Sequence, residues 1–391
     1  MTARLPKRCE IVIIGAGIQG LLLAFNLAER GKRDILVLDA GYWQGGASGR
    51  NGTLVRSGFS SPEWIGLFHH SVEQWKALSS RLRRNVMFTR RGYSVIAESD
   101  KSRAMLEVAH ENQKALGIKT EMLSSLRLKE ILPAIEHQRV SGAIHLSDGG
   151  TAPHHAVMKA ALDVTRAQGI QVHYQTAVTG IETTDGRVSA VQVGDARVEA
   201  DLTVIAAGGQ STDLANMAGV DLEAMPFRIE AAATEPLRPL IYPAVALVDR
   251  MTYLHQTARG EIVGGSELPG ESAKRNLKST AYVLPRYAKH LLEMFPQLRN
   301  IRVLRQWSGY LHPAPDGGPL LGPHPDIRDL WINAGWTYGI AGGPGAADLM
   351  SKAIATGEID SRMAAFSVDR FRRGKPCLEA SAVIDNASSA S

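Results

Sequence analysis

The segment from Glu10 to Asp39 constrains this chain more than any other. It reads as a short apolar run, Glu10-Ile-Val-Ile-Ile14, then the turn Gly15-Ala-Gly-Ile-Gln-Gly20. A helix-period stretch from Leu21 to Gly31 follows, and then a second apolar run from Ile35 to Leu38 that ends in Asp39. Strand, glycine turn, helix, strand and acid within about thirty residues is the dinucleotide-binding arrangement in its required context. Gly15 allows the tight turn, Gly17 lets a pyrophosphate approach the backbone, and Gly20 lets the helix pack close to the sheet. Ile18 and Gln19 sit at the helix start, whose free N–H groups and positive dipole end attract phosphate. Asp39, followed by Ala40, is placed to accept hydrogen bonds from a ribose diol.

The chain has 391 residues, long enough for about two domains. Glycine, at 38 residues, exceeds the usual share of ~7% without a Gly-X-Y period, which points to tight turns and close backbone approaches. A formal charge of +5 describes an ordinary surface. The densest basic run, Arg81, Arg83, Arg84, Arg90 and Arg91, lacks interleaved stacking aromatics, so no nucleic acid is expected as a partner. Cys9 and Cys377 lie at opposite ends and build no metal spacing, redox pair or disulfide framework. No window approaches the ~18 apolar residues of a membrane span, and the run before Gly15 is too short for a signal sequence. A cytoplasmic protein with no membrane partner is expected.

Further glycine clusters punctuate the chain. The loop Gly45 to Thr53 follows the second strand and carries Arg50, with Arg56 just beyond; both arginines can turn positive charge towards phosphate or a substrate carboxylate. Helices are expected over Ser71 to Leu82, Lys101 to Leu116, Ser125 to Ile131, Pro153 to Gln168 and Ala281 to Glu293. Strands are expected within Val86 to Ala97, over Gly142 to Leu146 and Gln171 to Tyr174, and on either side of Asp185-Gly186, a hairpin turn. Asp201 to Ser211 reads as a strand ending in small residues, and Tyr253 to Gln256 and Glu261 to Gly265 as further strands. Leu330 to Ala334 leads through a glycine-rich turn into a helix from about Pro344. No internal repeat is present.

These segments together resemble the D-amino acid oxidase-type flavoproteins, a group that includes glycine oxidase, sarcosine oxidases and related amine dehydrogenases. The resemblance spans roughly residues 10–360. It is closest to the beta subunit of heterotetrameric sarcosine oxidase through Ser48-Gly-Arg-Asn51, Leu54-Val-Arg56, Asn85-Val-Met-Phe-Thr-Arg-Arg-Gly92, Gly149-Gly-Thr-Ala-Pro-His154 and Arg305-Gln-Trp-Ser-Gly309. It implies an α/β fold: a Rossmann-like FAD domain built from 1–92, 142–222 and 305–375, an α+β substrate domain with an antiparallel sheet from 93–141 and 223–304, and a flexible tail, 376–391. It also implies non-covalent FAD held by Gly15, Gly17, Ile18, Gln19, Gly20, Asp39, Ala40, Ser48, Arg50, Asn51, Gly52, Val178, Ala207, Gly208, Gly335, Tyr338, Gly339 and Ile340. Arg56 takes the place of the family's carboxylate-pairing arginine, and Tyr253 and His255 fall in the stretch lining the substrate side of the flavin. An FMN at an interface with an alpha-type partner subunit is implied too, attached in that family to the histidine matched by His154.

Two departures from the family pattern matter. Pro153-His154-His155 stands where Arg-His-Asp is usual, which opens the question of the FMN. The late turn Gly339-Ile-Ala-Gly-Gly-Pro344 is one residue shorter and lacks the family's lysine, associated with carboxylate binding and oxygen reactivity. The leading reading is therefore oxidation of the C–N bond of a secondary amine or amino acid, resembling sarcosine, proline, hydroxyproline or an opine. The enzyme would be an oxidase or a dehydrogenase within a hetero-oligomer. A stand-alone D-amino acid or glycine dehydrogenase, and a flavin-bearing structural subunit, are the alternatives.

Overall fold

A computed structural model of the chain describes residues 5–266 and 276–379. Two eight-stranded sheets organise it. The first runs in the order Leu320–Pro323, Leu330–Ala334, Ala196–Ile205, Arg8–Ile14, Ile35–Leu38, Gln171–His173, with the hairpin Gly180–Thr184 and Arg187–Val193 joined to its third strand. Five of these strands are mutually parallel. Ile11 to Ile14 and Ile35 to Leu38 are buried throughout, as apolar runs covered on both faces must be. The first helix, Ile18–Glu29, is buried from Ile18 to Ala28, because it lies inside the molecule rather than on its surface.

The second sheet runs Val303–Leu311, Phe227–Pro236, Glu261–Ser266, Thr252–Gln256, Ala244–Leu247, Tyr93–Ala97, Gly142–Leu146, Thr120–Met122. It is antiparallel except where Ala244–Leu247 meets Tyr93–Ala97. Two expected segments therefore begin too early. Gly142–Leu146 pairs with Tyr93–Ala97, and Val303–Leu311 pairs with Phe227–Pro236, so both belong to the second sheet rather than to the cofactor segments starting at 142 and 305. A short apolar strand carries no mark of which sheet it will join. The tail departs as well: Cys377 and Glu379 are buried, and the Trp64 indole donates to the Cys377 carbonyl at 2.8 Å. The rest of that tail lies outside the described residues. No helix among the described residues is long and apolar enough to cross a membrane.

Two helices start earlier than the pattern predicts. The one expected from Ser71 runs Pro62–Arg81, with Pro62 in the first turn where its missing N–H costs nothing. The one expected from Pro344 runs Gly339–Thr356, with that proline inside it. A proline there removes the N–H that would bond the Ile340 carbonyl. The Trp75 indole donates to that carbonyl at 3.2 Å and to Ala341 at 3.2 Å. Ser71 enters the next rung: its hydroxyl accepts from Gly345 N–H at 3.0 Å and donates to the Ala341 carbonyl at 2.6 Å. A Cβ on Gly345 would lie 2.7 Å from Ser71, so the glycine makes this approach possible. Pro62–Arg81 thus repairs the ladder of Gly339–Thr356. Ser71→Ala should lower unfolding free energy by about 1–3 kcal/mol in urea titration, since it orphans the buried Gly345 N–H and takes one of two donors from the Ala341 carbonyl.

Candidate functional site

Between the two sheets lies a cavity of about 760 Å³, lined by both. Its nucleotide-like end is built by the first turn. Gly15 has φ of +116°, and a Cβ there would sit 2.3 Å from the Ala206 carbonyl oxygen. A Cβ on Gly20 would lie 1.8 Å from the Gly15 oxygen. Gly20 therefore does not touch the cavity; it lets the helix seat against the turn. Asp39 spans this turn, its Oδ2 accepting from Ala16 N–H and its Oδ1 from Gly41 N–H, both at 2.8 Å. Each oxygen retains capacity for a second donor.

The loop from Gly45 to Thr53 closes over the first helix. Ser48 Oγ accepts from Ile18 N–H at 3.0 Å, and the Asn51 amide donates to the Ser48 carbonyl at 2.7 Å. Arg50 donates to the Gly45 carbonyl at 3.0 Å and to the Tyr42 hydroxyl at 3.3 Å. The Trp307 indole, from the second sheet, holds the Arg50 carbonyl at 2.9 Å. Two helices open onto the cavity, at Gly17 and Tyr338, and neither has a side-chain bond from its N-cap or an acid in its first turn. Gln19 joins them, donating to the Gly339 carbonyl at 2.9 Å, while its own Oε1 is buried without a partner.

At the other end, Arg56 follows the two-residue strand Leu54–Val55, which pairs with Gly150–Thr151. Its guanidinium is only 4% exposed and packs over Phe59, Tyr338 and Tyr93 at 4.4, 4.5 and 5.1 Å. Burial opposes its charge, but the surrounding tyrosines and Glu379 more than offset this and raise its pKa. It stays a cation with no ion-paired carboxylate among the described residues. Tyr253, on Thr252–Gln256, turns its ring to the Gly52 backbone, where a Cβ would meet the hydroxyl at 2.6 Å. Burial raises the Tyr253 pKa, so it is a neutral donor.

Of the expected site residues, Gly15, Gly17, Ile18, Gln19, Asp39, Ala40, Ser48, Arg50, Asn51, Gly52, Arg56, Val178, Ala207, Gly208, Tyr253, Tyr338, Gly339 and Ile340 line this cavity. Gly335, His255 and His154 do not. Gly335 has φ of +70° and packs against Leu320, shaping the turn before Tyr338. His255 lies behind the wall, 4% exposed, sharing a 3.0 Å hydrogen bond with Thr53 Oγ1. Burial lowers its pKa to about 4, so it is neutral at pH 7. His154 begins the helix His154–Ala167, half-buried, with Nδ1 lacking a partner.

Sequence reasoning missed Tyr93, Ile229, Ala231, Ala246 and Leu311 on the second sheet, and Trp336 and Thr337 before the late helix. The sheet residues are ordinary strand residues with no local signature. Trp336 and Thr337 could have been found, since they flank the glycine turn already singled out.

The residues fit an elongated dinucleotide: bare turns, two open helix starts, an orphaned buried amide oxygen and an acid at the end of the second strand. Comparison with known proteins agrees. Residues 10–353 match the family model described as FAD dependent oxidoreductase, and the chain belongs to that family. It is 29% identical to the sarcosine oxidase subunit beta of Rhizobium meliloti, over 93% of this chain and 89% of that one. It is 26% identical to the glycine oxidase of Pseudomonas putida, over 89% and 95%. The L-proline dehydrogenase structure from P. horikoshii superposes with a TM-score of 0.89 at 26% identity, covering 95% of this chain and all of the other.

Gly20→Ala should leave folded protein holding only a small fraction of the wild-type FAD, measured by absorbance after gel filtration. Folding keeps a proton off His255, whose ordinary pKa is near 6.5. Its contribution to stability is therefore complete above pH 6.5 and lost as pH falls towards 4. His255→Asn should flatten the stability profile across that window in denaturant titrations at fixed pH.

Proposed function

We propose that this FAD-dependent oxidoreductase oxidises the C–N bond of a secondary amine or amino acid that carries a carboxylate. The observation that carries this reading is Arg56, a buried cation in an aromatic cage, opening onto the cavity with no ion-paired carboxylate among the described residues. A bidentate guanidinium suits one carboxylate well. FAD, when bound, supplies a two-electron acceptor for hydride from the carbon beside the nitrogen.

The chain's own residues orient and desolvate. Arg56 fixes the carboxylate, and the Tyr253 hydroxyl is available to donate to the ligand. Tyr93, Ile229, Ala231 and Ala246 give the second sheet an apolar floor that excludes water. Among the described residues two acids, Asp39 and Asp213, line the cavity, and neither belongs to the strands that carry Tyr253 and its neighbours. An ammonium would be desolvated there without a counter-charge, so the substrate nitrogen binds neutral. kcat/KM should consequently rise with pH towards the substrate's own ammonium pKa. Among the described residues no lysine lines the cavity, which favours a dehydrogenase handing electrons to another acceptor over an oxidase.

The similarity to a protein named as a subunit supports assembly with an alpha-type partner. Gel filtration of the purified chain, with and without a co-expressed partner, distinguishes this from an enzyme acting alone. A second ligand near His154 is favoured by three buried polar atoms without partners: His154 Nδ1, Trp43 Nε1 and Gln44 Nε2. FMN is the ligand proposed, and acid precipitation with the yellow colour retained in the pellet would establish a covalent bond. Buried, unbridged Cys9 and Cys377 suit a reducing compartment such as the cytoplasm.

The deciding experiment is anaerobic mixing of the FAD-loaded protein with sarcosine, proline, hydroxyproline, an opine, glycine and an amine lacking a carboxylate. Bleaching of the flavin by a carboxylate-bearing secondary amine is expected. Bleaching by the uncharged amine alone, or by none, would remove this assignment. Arg56→Ala should raise KM for the reactive substrate on the order of 100-fold with FAD still bound.

A further inference from the structure

Arg56 does not stand alone behind its aromatic cage. Two residues past Phe59, the chain enters the helix Pro62–Arg81 through Ser60 and Ser61. Glu379, from the far end of the chain, is bound there and is only 5% exposed. Its carboxylate accepts from Ser60 N–H at 2.9 and 3.0 Å, from Ser61 N–H at 2.9 Å, and from both serine hydroxyls. The strap that brings it is itself fixed. Asp316 takes a bidentate bond from Arg370 at 2.8 and 2.6 Å and another from Cys377 N–H at 2.7 Å. Asn112 and Gln113 hold the Ser60 and Phe59 carbonyls from the opposite side, at 2.7 and 2.8 Å.

Glu379 is thus a buried negative charge close to a buried positive one that has no ion pair among the described residues. The carboxylate favours the Arg56 cation. A ligand carboxylate arriving at Arg56 meets that attraction already in place and is repelled by Glu379. We infer that Glu379 is a built-in counter-charge of Arg56 that holds carboxylate affinity down, so that ligand leaves as readily as it enters. This rests on the reading of Arg56 as the carboxylate anchor.

A purely structural role and this one predict opposite signs. Neutralising a residue that only braces the loop would weaken both the fold and the ligand site. Neutralising a counter-charge costs stability, because buried donors lose their acceptor, yet makes the site more positive. The test uses acetate, titrated into the FAD-loaded full-length protein and read from the flavin difference spectrum, alongside thermal unfolding. Glu379→Gln should tighten acetate binding by roughly tenfold while lowering the melting temperature. Unchanged or weaker acetate binding overturns the inference. Ser61→Ala provides a gentler variant should Glu379→Gln not fold. It strips one donor from the carboxylate, leaves more of its charge unscreened, and should weaken acetate binding; no change there overturns the inference too. Arg56→Met separates the two claims. If Arg56→Met binds acetate as tightly as the wild type, the anchor reading fails first.

Discussion

Everything at this site depends on backbone amides left open. Two helix starts face one cavity without a side-chain bond from their own N-cap residues, Ser48 meeting only the Ile18 N–H of the first, and amides left unmet away from water are costly unless something outside the chain answers them. The turn at Gly15 and the turn at Tyr338 therefore belong to one design, although more than 320 positions separate them in the sequence. Gln19 makes the link physical through the Gly339 carbonyl. Side chains elsewhere mainly keep these two starts in place. Ser48 covers Ile18, Trp75 and Ser71 carry the helix across Pro344, and Trp307 fastens the loop around Arg50.

The nucleotide end was legible because it is written in residues whose chemistry is local. Glycines at fixed spacing and an acid after a strand mean much the same in any surroundings. The substrate end was legible only in part. Arg56 stood out through its motif, but its cage is assembled from Phe59, Tyr93 and Tyr338, which lie far apart in the sequence. Periodicity sees none of that. His255 illustrates the opposite failure. It shares its strand face with Tyr253, the cavity-lining residue two positions earlier, yet its ring is bound to Thr53 and does not reach the cavity. Helix starts failed for a third reason. A proline normally marks a boundary, and only the tertiary partners of Gly339–Thr356 reveal that this one does not.

The two ends also differ in how they manage charge. The nucleotide end offers helix dipoles, backbone donors and the Arg50 side chain in its loop. At the substrate end a full cation is kept in an aromatic surround, where attraction is strong because water is scarce. Buried charges of this kind need a partner nearby. The Asp316–Arg370 pair shows the ordinary solution, fully buried and bidentate. Arg56 has rings and a more distant carboxylate instead, the arrangement to expect where the missing partner is the ligand.

The order of the first sheet has a consequence for folding of the chain. Its innermost strand, Arg8–Ile14, is hydrogen-bonded to Ala196–Ile205, which in turn holds Leu330–Ala334. The first fifty residues therefore contain the phosphate-binding turn but none of the neighbours that shape its far wall. That wall and the helix start at Gly339 come from segments far later in the sequence. Such distant pairings close slowly. The phosphate-binding turn therefore takes its working shape only once segments distant in the sequence have paired around it.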